Sequence, residues 1–163
     1  MKSISEMMTT GVRSLSPSDS LQAAAQAMEA LAIGSVPVCD GQRLVGMVTD
    51  RDIAIRAVAQ GLPAQSTTVS QVMSGDVKWC YEDQTVEEAT YLMQQSQIRR
   101  LPVVDRDKRL VGMLALGDLS VKADSAQAAR ALQGISTPSE PDRSNLSAAA
   151  GQAGGGADAQ TEA

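Results

Sequence analysis

Ile33-Gly34-Ser35-Val36-Pro37-Val38-Cys39-Asp40 returns further along the chain as Ile98-Arg99-Arg100-Leu101-Pro102-Val103-Val104-Asp105. Each copy is an apolar run holding one proline and closed by an aspartate, the pattern of a strand that enters a turn. Further out, Arg43-Leu44-Val45-Gly46-Met47-Val48 returns as Arg109-Leu110-Val111-Gly112-Met113-Leu114, and Ile4-Ser5-Glu6-Met7-Met8 as Val69-Ser70-Gln71-Val72-Met73. The prolines stand 65 residues apart and the glycines Gly46 and Gly112 stand 66 apart, so the second copy carries one extra residue in its turn. Blocks repeated in the same order mark a tandem repeat, and two such copies pack face to face with a cleft between them.

Composition narrows what the repeats do. The chain has 163 residues, so each copy of about 65 is too small for a comfortable core of its own, and a shared core is expected. With 8 Met, no Phe, one Trp and two Tyr, that core is aliphatic. The chain has no His, which removes the commonest general base, every Ser-His triad and most catalytic zinc sites. Cys39 and Cys80 lack a CxxC partner and read as small buried thiols in a reducing compartment. No enzymatic activity, catalytic cofactor or metal is expected. From residue 136 on, Glu140, Asp142, Asp158 and Glu162 against Arg143 put −3 of the net −5 there, leaving −2 on the rest. A nearly neutral body poor in aromatics speaks against a nucleic-acid surface. No apolar run reaches membrane length, and an acid at position six without an apolar run argues against a signal peptide, so the expectation is cytoplasmic.

Local signals order the elements. Residues 4–10 read as a helical turn, 12–15 as a short strand, and Ser20 as the cap of a helix with Leu21, Ala24, Ala25, Met28 and Leu31 on one face, ended by Gly34. Val36 to Cys39 and Arg43 to Thr49 form a hairpin over Asp40-Gly41, followed by a helix from Asp50 to Gln60. The second copy repeats this: a strand from Val77 to Cys80, a capping box at Thr85 to Glu88, a helix to about Gln95, a hairpin over Asp105 to Lys108, and a last helix from Gly117 to about Leu132. Each repeat is thus β-α-β-β-α, in an α/β protein of the α+β type, with repeats at 1–65 and 66–132. Residues 133–163, rich in Ala, Gly and Ser, cannot bury enough apolar surface to offset their ordering entropy and are expected to be a disordered tail.

Thr49-Asp50-Arg51-Asp52 falls where a strand gives way to a helix. Free amides there favour an anion, and a carboxylate one turn on can accept from both hydroxyls of a ribose. The same residues also suit simple helix capping. The ordered set (Ser5 to Met8, Val36-Pro37-Val38, Leu44 to Val48, Thr49 to Asp52, and its second copy) resembles the CBS-domain family, named after cystathionine β-synthase, over roughly residues 1–125. The resemblance implies a pseudo-two-fold pair that binds adenine nucleotides or adenosyl compounds between its two sheets, a regulatory role exerted on a partner in trans, and a homodimer. A purely structural dimerisation module is the alternative. It further implies that Thr49 meets phosphate and Asp52 the ribose, that Ser35, Val36 and Pro37 lie along base and ribose, that Thr10 to Val12 read the adenine edge, and that Arg51 faces a phosphate. The second copy offers Val77, Arg99, Arg100, Leu101, Pro102 and Asp118, with Ala115 where Thr49 stands in the first. Its two arginines suit phosphates of its own ligand or of the first site's ligand, or a partner subunit. On this reading Asp52 dominates affinity.

Overall fold

The computed structural model describes residues 2–122 and 132–134. Helix α1 (Ile4–Met7) opens the chain and α2 (Leu21–Leu31) follows. Strands β1 (Ser35–Asp40) and β2 (Arg43–Thr49) form the first hairpin, and α3 (Asp50–Ile53) runs straight into a π-helical turn, Ala54–Val58. The second copy supplies α4 (Val69–Val72), β3 (Cys80–Tyr81), α5 (Val86–Ser96), β4 (Arg100–Val104), β5 (Leu110–Ala115) and α6 (Leu116–Lys122). The mixed α/β class and the repeated order agree with the sequence. Most of the tail and the far part of the last helix lie outside the described residues.

The two hairpins are near copies. β1 and β2 pair antiparallel with a bulge at Val38/Cys39, and β4 and β5 pair with the same bulge at Val103/Val104. The first turn closes on Gly41 at φ +63°, where a side chain would be strained. The second is one residue longer and carries Lys108 at φ +65°, the left-handed position of a three-residue loop. That residue is the shift from 65 to 66.

The caps follow the sequence at Thr85 and depart from it at the end of α2. Thr85 and Glu88 form the expected box: the Glu88 amide donates to Thr85 Oγ1 and the Thr85 amide to Glu88 Oε2, each at 3.2 Å. Gly34 does not end α2. Ala32 does, in a left-handed conformation at φ 53°, with its own amide and that of Ile33 donating back to Glu29 and Met28. Gln97 does the same for α5. This reversal satisfies the last carbonyls and is stable enough here to hold a residue other than glycine. Leu31 consequently overhangs the core and is exposed, and Ala27 is buried in place of the expected Ala25. The expected strand at 12–15 reduces to one bridge, Leu15 with Val38. The helix after Asp50 turns π-helical over Ala54–Val58, with Ala57 buried, a one-turn change of winding that apolar spacing does not mark.

The repeats exchange their opening segments. Ile4 and Ser5 amides donate to Gln84 and Glu82 carbonyls in the second copy, both at 3.0 Å. Their equivalents Val69 and Ser70 donate to Asp19 and Pro17 in the first, at 2.8 and 3.0 Å. Ile4 and Met7 are buried with Met93, Leu101 and Leu114, whereas Val69 and Val72 are buried with Leu21, Val36 and Val48. Each such side chain contributes on the order of 1.5–3 kcal/mol. The single shared core is thereby corrected to two cores tied by exchanged segments, plus a small cluster of Cys39, Leu44 and Val104 between the hairpins. The exchange explains two motifs at once. A methyl group on Gly112 would stand 2.6 Å from Met8 Sδ and 2.8 Å from the Thr9 carbonyl; on Gly46 it would stand 2.7 Å from Met73 Sδ and 3.0 Å from the Ser74 carbonyl. The strand glycines are seats for the methionines of the other repeat.

Candidate functional site

Both candidate ribose carboxylates cap their helices. Asp52 Oδ2 accepts the Thr49 amide at 3.0 Å while Thr49 Oγ1 accepts the Asp52 amide at 3.0 Å. Asp118 Oδ2 accepts the Ala115 amide at 2.9 Å. The capping role is real, and it occupies one oxygen of each. The other oxygens differ. Asp52 Oδ1 faces Arg56 Nε at 3.9 Å, and that guanidinium also donates to the Val72 carbonyl at 3.2 Å. Among the described residues Asp118 Oδ1 receives a single 3.3 Å hydrogen bond, from the Thr9 hydroxyl.

The exchange of segments regroups the expected residues. Thr9 pairs with Met113, which places Thr9, Thr10 and Val12 beside β5 and Asp118 rather than beside Asp52. Ser74 pairs with Met47, which places the segment leading to Val77 beside β2 and Asp52. The family resemblance implies that Thr10 to Val12 serve the first copy's ligand; local order cannot reveal that the chain crosses over first. Ser35 lies opposite Thr49 and Arg100 opposite Ala115 in their ladders. The Arg99 carbonyl accepts the Leu116 amide at 2.9 Å, so both arginines are held at the Asp118 end of the sheet. Arg99 and Arg100 are exposed, and no salt bridge engages them among the described residues. Arg51 is exposed as well. Val36 and Leu101 are fully buried in the two cores and Pro37 and Pro102 are buried in the strands. Val36 and Leu101 thus present no side chain to a cleft.

Two cavities flank the junction of the hairpins, where the Leu110 amide donates to the Gln42 carbonyl (2.9 Å) and the Leu44 amide to the Lys108 carbonyl (3.1 Å). One holds about 360 Å³ and is lined by Val12, Ser14, Cys39, Gly41, Gln42, Asp105, Arg109, Leu110 and Val111. The other holds about 30 Å³ and is lined by Leu44, Val45, Gly75, Val77, Trp79 and Lys108. Val12 answers Val77, Ser14 answers Trp79, and Leu110-Val111 answers Leu44-Val45, so these are one cleft built twice. The first volume falls among small-molecule sites, which run from about 300 to 1,000 Å³; the second has room for about a water or two. Cys39, at the wall of the larger cavity, is a free thiol that burial pushes up in pKa, against a hydrogen bond with the Ser14 side chain. Neither Trp79 nor Thr9 stood out in the sequence. Comparing side-chain size between the two copies, Ser14 against Trp79, is the signal that finds the first; nothing local finds the second.

A CBS-domain sequence profile matches residues 4–58 and 69–122. The protein belongs to the CBS-domain family, as a tandem pair. It is 46% identical over 129 residues to the CBS domain-containing protein YhcV of Bacillus subtilis, covering 79% of this chain and 91% of that one. Among solved structures it resembles Hypoxic Response Protein I, whose structure holds two coordinated zinc ions, with TM-score 0.70 and 32% identity over 76% of this chain and all of that one. It also resembles the CBS domain pair of protein MJ0100 in complex with 5′-methylthioadenosine and S-adenosyl-L-methionine, with TM-score 0.65 and 27% identity over 74% of this chain and 94% of that one. Among the described residues no group of three or more His, Cys, Asp or Glu is placed to hold a metal ion, and none of their helices is long and apolar enough to cross a membrane.

Proposed function

We propose that this protein is a cytoplasmic regulatory module that binds an adenosine-type ligand, of the AMP, ADP, ATP, NAD or S-adenosylmethionine class, without turning it over, and passes the signal to a partner protein in trans. The observation that carries this reading is the cleft of about 360 Å³ lined by Val12 and Ser14, on the segment whose Thr9 hydroxyl donates to Asp118 Oδ1. Among the described residues Asp118 Oδ1 accepts one long bond, from Thr9, which ribose hydroxyls would replace. Arg99 and Arg100 stand at the Asp118 end of the sheet with guanidinium forks suited to phosphate. The adenosyl ligands carried by the pair of MJ0100 are of the same chemical class. The Asp52 side keeps the fuller sequence motif, but its carboxylate already faces Arg56 and its cleft is filled.

The test is a thermal-shift and calorimetric screen across those five ligands, with the ligand recovered and analysed afterwards. A ligand at a hundred times its dissociation constant stabilises by about 2.7 kcal/mol. No shift with any of them at millimolar concentration overturns the reading, and chemical conversion of the ligand overturns its non-enzymatic part.

The proposed active form is a homodimer. Ile55 at 51% and Val58 at 71% exposure leave apolar side chains in water on the π-helical turn, which a second copy would cover. Light scattering at micromolar concentration returns twice the chain mass if this holds and the single mass if it does not.

A further inference from the structure

We infer that Trp79 is a built-in plug that closes one of the two equivalent clefts, so that each chain takes one ligand, at the Val12 side. This rests on the ligand class proposed above and adds the stoichiometry and the residue that sets it.

Trp79 occupies the position of Ser14 and lines the small cavity, where Ser14 lines the large one. The ring is braced from both sides. Tyr81 meets it edge-on at 4.9 Å between centroids, and Lys108 Nζ lies 5.8 Å over its face. Tyr81 is in turn covered by the Arg106 guanidinium at 4.0 Å, and Arg106 is clamped to both oxygens of Asp83 at 2.9 Å. Every member of this assembly has a small or uncharged counterpart in the first copy: Ser14 for Trp79, Ser16 for Tyr81, Ser18 for Asp83, Gly41 for Arg106 and Gln42 for Lys108. Trp79 and Lys108 line the small cavity, Tyr81, Arg106 and Asp83 support Trp79 from behind, and together these five substitutions account for equivalent strands that enclose about 360 Å³ on one side and about 30 Å³ on the other. Edge-on aromatic and cation–aromatic contacts each favour this one placement of the rings. The residue added to the second turn belongs to the same device, because it lengthens the loop that carries Arg106 and Lys108.

The experiment uses the full chain and three proteins: wild type, Trp79→Ser, which copies the open side, and Ser14→Trp, which copies the closed side. Calorimetry with AMP, ATP and S-adenosylmethionine is expected to give one site per chain in wild type, two in Trp79→Ser, and at least tenfold weaker binding in Ser14→Trp. Two sites in wild type, or unchanged binding in Ser14→Trp, overturns the plug while the nucleotide reading stands. If no ligand binds wild type, the nucleotide reading fails, and the plug is judged without it by thiol labelling. Val12→Cys and Val77→Cys are each reacted with a small methanethiosulfonate, with the parent protein's thiols as the baseline. A Val12→Cys rate at least tenfold above that of Val77→Cys, equalised by Trp79→Ser, upholds the plug; equal rates in the Trp79 protein overturn it.

Discussion

The cleft at Val12 and the cleft at Val77 use equivalent positions of one repeated sequence, and they differ in volume by about 360 to 30 Å³. The backbones that frame them share their pairing, bulge and junction hydrogen bonds. What differs is a handful of side chains on one wall. The motif richest in sequence signal, Thr49 with Asp52, shares its flanking segment, bridged at Met47–Ser74, with the smaller cavity, and the incomplete one, Ala115 with Asp118, shares its flanking segment with the larger. Motif completeness and cavity volume are therefore separate properties. The Thr hydroxyl of a complete motif is also a cap, and a cap is wanted whether or not a ligand arrives.

The sharpest way to break this comparison is to remove each carboxylate. Hydrogen bonds to a charged group are worth about 1.5–3 kcal/mol, so Asp118→Ala is expected to weaken nucleotide binding by roughly 10- to 100-fold, and Asp52→Ala by less than about threefold. Asp118→Asn keeps an oxygen for the Ala115 amide and separates the ligand effect from the cap. Calorimetry showing the reverse order would return the site to Asp52.

The next largest effect concerns the exchanged segments. Gly112→Ala sets a methyl against a carbonyl at 2.8 Å, and Gly46→Ala against one at 3.0 Å. Overpacking of this kind costs about 1–3 kcal/mol, with Gly112→Ala expected to be the worse of the two. Urea midpoints check this; an unaffected Gly112→Ala would mean that Met8 and Thr9 yield freely.

A third contrast sets Cys80 against its counterpart Leu15. Burial pushes the Cys80 thiol up to about 12. Because the folded value lies above the unfolded one, the associated stability is whole below about pH 8.5 and is lost as pH rises toward about 12. The expected loss is at most about 1.4 kcal/mol per pH unit in that window. Cys80→Val, an apolar residue like Leu15, is expected to flatten the alkaline limb of thermal unfolding curves; an unchanged limb assigns it to other groups.

The smallest effect is local. Ala32 holds φ 53° at the end of α2, a conformation that costs a residue with a Cβ roughly 1–2 kcal/mol. Ala32→Gly relieves this at some gain in unfolded-state entropy and is expected to stabilise by about 0.5 kcal/mol. A lower melting temperature would show that the methyl group packs usefully.

The repeat, the two hairpins, the Thr85 capping box, the buried thiols and the CBS-type organisation were legible in the sequence. Each is encoded within a few residues, by alternation, by cap spacing or by recurrence of the same pattern. The end of α2 at Ala32 was missed because the backbone reversal that satisfies its carbonyls does not require glycine here. Spacing alone puts Leu31 and Ala25 on the core face, and spacing does not say where the core stops.

The sequence by itself determined which elements form and that they come in two equivalent sets. Only the tertiary structure decided which segment of one copy serves the other, which partner each carboxylate meets and which of the two cavities is the larger. Those outcomes depend on contacts between residues far apart along the chain, such as Thr9 on Asp118 and Met8 on Gly112, and the exchange of opening segments reassigns them all together. Trp79, read alone, is an ordinary apolar residue; its meaning comes from the wall it shares with Tyr81, Arg106 and Lys108 and from the serine that stands in its place across the pseudo-two-fold.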